Sequence, residues 1–133
     1  MTDQSNVAVV LGVYDAFRRG DLAAILSTLD PQADLSYEAP ASIPWAGQFP
    51  GSDGWTKFFQ AIGGALDAIT LTMEPFAAQG EHVAVAGRYQ ATVRKNGKRI
   101  DSPLVHLWTV RNGKIVACLE LTDTASEMAA TAS

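Results

Sequence analysis

The sequence predicts an α+β fold in which three N-terminal helices pack on a strongly curved antiparallel sheet that encloses one pocket. Two observations carry this expectation. Apolar residues recur at helical spacing in the first half of the chain, then alternate with period two in the second half. Helices grouped first and strands grouped last also argue against a parallel α/β arrangement. At 133 residues the chain fits one domain, with its core over about residues 6–127, and it can bury a sizeable interior without disulfides.

The elements follow in order. Val9, Val10, Val13, Tyr14 and Phe17 form one stripe of a helix over residues 6–19, with Ser5 or Asn6 at its start and Gly20 at its end. Asp21 caps a second helix that buries Leu22, Ile25, Leu26 and Leu29, and Asp30-Pro31 stops it. A short strand covers residues 34–38. Residues 39–54 carry three prolines and three glycines and read as a loop. That loop holds Trp45 and Phe49, so it is expected to cover a core edge or a pocket mouth. Ser52 or Asp53 starts a third helix with Trp55, Phe58, Phe59, Ile62 and Leu66 inside.

Four strands then form a meander over 68–76, 82–94, 99–110 and 114–122, turning at Gly80-Glu81, Asn96-Gly97 and Asn112-Gly113. The two Asn-Gly pairs are type I′ hairpin signals. The tail from Ala125 is rich in Ala, Ser and Thr and is expected to fray.

Composition narrows the function. The net charge of −4 gives no basic surface for nucleic acid. No apolar run reaches the ~18–20 residues of a membrane span. The first residues lack the order of a signal peptide, so a cytoplasmic protein is expected. Cys118 stands alone in an apolar strand and reads as a small core residue. The sequence has no HExxH, no His/Cys cluster, no acidic calcium loop, no GxGxxG and no phosphate-binding loop. Neither a metal nor another cofactor is expected.

The run Tyr14-Asp15-Ala16-Phe17-Arg18-Arg19-Gly20-Asp21 resembles the first-helix signature of the SnoaL-like proteins, in the nuclear transport factor 2-like superfamily. Trp45-Ala46-Gly47-Gln48-Phe49-Pro50-Gly51 with Trp55 resembles the loop before their third helix, and residues 106–115 with Asp123-Thr124 resemble their final hairpin. The resemblance covers nearly the whole chain and implies the cone-shaped fold of that group. It implies a homodimer through the outer face of the sheet as well. Alternating apolar residues on both faces of strands such as 102–110 agree with burial on two sides.

Function is less specified, because this fold hosts several chemistries. Set beside the ketosteroid isomerases, the chain puts Glu38 near the base. Val13 and Val105 stand where the two oxyanion donors would be, so steroid isomerisation by that route is not expected. Set beside the limonene-type epoxide hydrolases, it places Arg88 and Asp123 near two of three required residues. Gln90 stands at the third, and an amide cannot act as a base. The SnoaL-type polyketide cyclases are similar in placing a histidine and an acid on the last two strands, where His106 and Glu120 fall.

The candidate site therefore contains His106, Glu120, Asp123 and Arg88 as acid–base and anion-holding groups. Glu38, Trp45, Phe49, Trp55, Phe59, Gln90 and Trp108 would form the pocket for a small-molecule ligand. Each has a plainer alternative. His106 could be a core histidine held by one hydrogen bond. Glu120 could face solvent or pair with Arg88 or Arg94. Asp123 could merely cap a C-terminal turn, Arg88 could be a surface charge, and either Tyr37 or Glu38 could point inward. One conflict is explicit. A regular turn at Asn112-Gly113 would pair His106 with Leu119 and send His106 and Glu120 to opposite faces, so both reach one pocket only if a bulge shifts a strand. The expected function is a cofactor-free acid–base enzyme on a small, largely apolar carbonyl compound, by cyclisation, isomerisation or dehydration. A non-catalytic ligand-binding or dimeric accessory domain is the alternative.

Overall fold

Residues 3–132 are described in a computed structural model. Their order is α1 (Asp3–Arg18), α2 (Leu22–Ser27), β1 (Leu29–Tyr37), β2 (Gly47–Pro50), α3 (Gly51–Ala65), β3 (Leu66–Gln79), β4 (His82–Val93), β5 (Arg99–Arg111), β6 (Lys114–Thr122) and α4 (Thr124–Thr131). The six strands form one curved, open sheet in the order β2-β1-β6-β5-β4-β3. Neighbours run antiparallel except β1 and β6, which are parallel. The sheet is thus a meander with the first strand added alongside the last.

The helices bury the faces that their periodicity marks. α1 buries Val10, Val13 and Ala16, and α3 buries Gly54, Trp55 and Phe58. Asp21 caps α2 by accepting from the Ala24 amide at 3.0 Å. α2 is short, however, and Leu29 and Pro31 already belong to β1 rather than to a helix end. The proline- and glycine-rich segment is not all loop. Gly47–Pro50 pairs with β1, and α3 begins directly at Gly51, with Pro50 at its cap and no side-chain capping bond from Ser52 or Asp53. Gly54 is required by this sharp entry, since a Cβ there would lie 2.4 Å from the Phe49 carbonyl carbon.

Asn112 and Gly113 both have positive φ, as a type I′ turn demands. At the other pair only Gly97 does. The β4–β5 connection spans residues 94–98 and closes with the Gly97 amide donating to the Val93 carbonyl at 2.8 Å. The tail does not fray where expected. Asp123 accepts from the Ser126 amide and caps α4, and Asn96 Nδ2 donates to the carbonyls of Ala130 and Ala132.

Among the described residues no helix is long and apolar enough to cross a membrane.

Candidate functional site

Between α1, α3 and the concave face of the sheet lies a cavity of about 80 Å³. Its walls are mainly apolar and aromatic. Trp45, Trp55, Phe58, Phe59 and Trp108 are among its rings, and Tyr14, Tyr37, Tyr89, His106 and Glu120 bring polar atoms to it. Each residue arrives there by the phase of its element. In β5, Leu104, His106 and Trp108 point inward, and in β4 Val83, Val85 and Tyr89 do.

The β5–β6 register decides whether His106 and Glu120 meet. Next to the turn, Arg111 pairs with Lys114 and Val110 with Ile115. The next pair is Thr109 with Ala117, so Val116 is the extra residue of a bulge. From there the register places His106 opposite Glu120. Both side chains face the cavity, and both are buried, at 5% and 8% exposure.

The two are joined directly, His106 Nε2 to Glu120 Oε1. His106 Nδ1 lies 2.5 Å from the Tyr14 hydroxyl, and Tyr14 in turn accepts from Trp108 Nε1 at 2.9 Å. Counting hydrogens orients this chain. The indole can only donate, so the Tyr14 oxygen accepts there, and its single hydrogen goes to Nδ1. His106 then carries its proton on Nε2 and donates it to the Glu120 carboxylate. The opposite tautomer would leave the buried Tyr14 hydrogen without an acceptor. Burial holds the Tyr14 phenol well above the ordinary tyrosine range, offset in part by the Trp108 hydrogen bond. The far oxygen of Glu120, Oε2, is buried and has no hydrogen-bond partner among the described residues.

A second carboxylate stands behind the cavity wall formed by Tyr37, Trp45 and Tyr89. Glu127 of α4 is 0% exposed. Its Oε2 accepts from the hydroxyls of Tyr37 and Tyr89 and from Trp45 Nε1, and its Oε1 accepts from Thr122 Oγ1 at 2.6 Å. Burial first, then the nearby Glu127 charge, raises the Tyr37 phenol. Burial, Tyr37 and Glu127 raise that of Tyr89.

The structure brings together some of the residues named from sequence and leaves others out. His106, Glu120, Trp45, Trp55, Phe59 and Trp108 line the cavity. Phe49 stands one layer back, edge-on to Phe58 at 5.3 Å between ring centres. Arg88 and Gln90 occupy the opposite phase of β4 from Tyr89 and lie on the outer face. There Arg88 Nε donates to Asp101 at 3.0 Å and Gln90 reaches the same carboxylate. Glu38 follows the inward Tyr37 and is exposed. Asp123 is exposed and spends its carboxylate on Ser126, which holds its pKa below the usual aspartate range. These four do not reach the cavity. Cys118 is buried, and burial drives its thiol well above the ordinary range, in keeping with a core residue.

Sequence reading missed Tyr14, Tyr89 and Glu127. Tyr14 carried a usable signal, because a tyrosine on the buried stripe of a helix needs a partner for its hydroxyl. Glu127 carried none, since it sits in a short polar tail. Among the described residues no three His, Cys, Asp or Glu side chains gather as a ligand set for a metal ion.

The SnoaL-like domain family model matches residues 10–118 of the chain. The Mycobacterium tuberculosis protein Rv0034 is 30% identical over 123 residues, which covers 90% of each chain. An NTF2-like protein from Burkholderia xenovorans LB400 superimposes with a TM-score of 0.88 at 28% identity, over 99% of each chain. TerC, solved in co-crystals with polyporic acid, superimposes with a TM-score of 0.85 at 26% identity, over 95% of this chain and 97% of that one.

Proposed function

The chain belongs to the SnoaL-like domain family, and from that premise we propose that it is a cofactor-free acid–base enzyme of the cyclase or isomerase type. Its substrate would be a small, largely apolar carbonyl compound. One observation carries the reading: a buried carboxylate at an apolar cavity has one oxygen fixed by His106 and the other free. The co-crystal of TerC with polyporic acid supports a small organic ligand in a fold of this kind.

In this reading Glu120 Oε2 removes a proton from the carbon beside a carbonyl. The C–H electron pair moves into the enolate, and the proton rests on Glu120. Returned to a different carbon, it completes an isomerisation. If the enolate carbon instead attacks a second carbonyl of the same molecule, a C–C bond forms and the proton goes to the new alkoxide. Neither course needs an oxidant, a reductant or water. His106 holds Glu120 through Oε1 and Tyr14 holds His106, so the base keeps one orientation. The aromatic walls keep water from the enolate. Arg88 and Asp123, outside the cavity, have no part in it.

The test is hydrogen–deuterium exchange. A panel of small ketones and β-dicarbonyl compounds in heavy water, followed by NMR, should show protein-dependent loss of the α-proton signal. Glu120→Gln should slow this by about 100-fold or more with the circular dichroism spectrum unchanged. Ligands that bind without any exchange would favour the binding-domain alternative.

We also propose a homodimer through the outer face of β4, β5 and β6. Leu107 and Leu121 are 41% and 39% exposed there, beside Val105 and Leu119, with which they pair across the strands.

A further inference from the structure

The cavity is lined by side chains whose hydrogens are already committed. Trp108 donates to Tyr14, and Tyr14 to His106. His106 donates to Glu120. Tyr37, Tyr89 and Trp45 donate to Glu127. Trp55 Nε1 donates to the Ala33 carbonyl at 3.2 Å. Among the described side chains that line the cavity, only the Cys118 thiol, a weak donor, is left over. The polar group left open is an acceptor, Glu120 Oε2, on a side chain nine-tenths buried. No lysine or arginine lines the cavity among the described residues, while two carboxylates stand at it or directly behind it.

From this inventory we infer that the cavity selects a neutral, largely apolar ligand carrying a hydrogen-bond donor, such as an enol, phenol or other hydroxyl, which it offers to Glu120 Oε2. An orphaned buried acceptor is destabilising, and a donor on the ligand relieves it. A ligand that offers only acceptors finds no free hydrogen. An anion that enters from solution meets like charge in a poorly screened interior, whereas the enolate of the proposed reaction forms only as its proton neutralises Glu120. The inference deepens the acid–base reading, because it names what the substrate must present at the proposed base: a neutral group with an acidic hydrogen.

The experiment uses three probes on one ring: p-cresol, 4-methylanisole and 4-methylbenzoate. Binding is followed by tryptophan fluorescence and titration calorimetry on the wild-type protein. p-Cresol should bind about tenfold or more tightly than 4-methylanisole, and 4-methylbenzoate should bind most weakly. Equal binding of the three, tighter binding of the ether or the benzoate, or no binding of any overturns the inference. Glu120→Gln adds a second reading. His106 can still donate to the amide oxygen, which turns the amide NH₂ toward the cavity, so the preference for p-cresol over 4-methylanisole should vanish or reverse. Its persistence would count against the inference. The wild-type comparison stands whether or not that variant folds. α-Proton exchange without a donor preference would fail this inference and leave the enzyme reading intact. A donor preference without exchange would do the reverse.

Discussion

Glu127 shows how one side chain can tie a wall of the cavity together. Four donors converge on its two oxygens, which is the acceptor-only pattern of a carboxylate. Two of those donors are tyrosines, and the third tyrosine of the chain, Tyr14, is held in the other network. Burial is the main cause that raises all three phenols above their ordinary range. The sign of the linkage follows. The folded phenols stay protonated where unfolded tyrosine ionises, near pH ~10. The stability they contribute is therefore complete below that pH and is lost as pH rises above it. In an alkaline titration followed by ultraviolet absorbance, no tyrosinate should form in the folded protein near pH ~10. Ionisation should coincide with loss of the circular dichroism signal. A tyrosine that titrates normally while the fold persists would contradict this burial. At this scale the sequence was readable where phase and chemistry agreed, as at Trp55 and Trp108, whereas His106 and Glu120 were singled out by chemistry against the phase of a regular turn. It misled at Arg88, Gln90 and Glu38, because a charged or amide side chain in an alternating strand does not announce which face is interior.

At the scale of elements, the four meander strands and the main helices were legible from periodicity and turn residues, while β2 and the irregularities were not. The Val116 bulge is the decisive case. Its need could be argued from the His106–Glu120 spacing, but nothing in Lys114-Ile115-Val116-Ala117 says where the extra residue falls. α4 was hidden for another reason. Its stability comes from the local Asp123 cap, which the sequence did offer, and from two tertiary contacts, the Asn96 side chain and the buried Glu127, rather than from helix periodicity. Glycines make a paired prediction here. In β4 a Cβ on Gly87 would lie 1.8 Å from the Thr72 carbonyl oxygen, which belongs to the paired β3. Gly87→Ala should destabilise the protein by about 3 kcal/mol, and the strands must part for it to fold at all. In α3 a Cβ on Gly64 meets nothing within 4 Å. Gly64→Ala should stabilise by about 0.5–1 kcal/mol through the less flexible unfolded chain. Urea denaturation of both variants checks the contrast, and shifts of the same sign would refute it.

At the scale of the whole molecule, the grouping of helices before strands gave away the class of fold, while the sheet order was not written locally. β1 joins β6 in parallel although α3 and four strands separate them in the chain. No turn residue or register signal can encode a pairing of that range. The same sheet has two faces with different work. The concave face carries His106 and Glu120. The convex face carries their neighbours in sequence, Leu107 and Leu121, exposed in a single copy of the chain. Adjacent apolar side chains paired across strands make a continuous patch, and a patch of that kind is most stable when covered. In the proposed dimer a two-fold related copy would supply the same patch and close the assembly. Wild-type protein should therefore sediment as a dimer at micromolar concentration, and Leu107→Asp combined with Leu121→Asp should sediment as a monomer. Both substituted side chains point away from the cavity, so the monomer should keep its fold and its preference for p-cresol. If wild type sediments as a monomer, the apolar convex face is not a self-association surface. If the double variant loses ligand binding along with its partner, the two faces are coupled, and the cavity depends on a sheet curvature that the partner copy maintains.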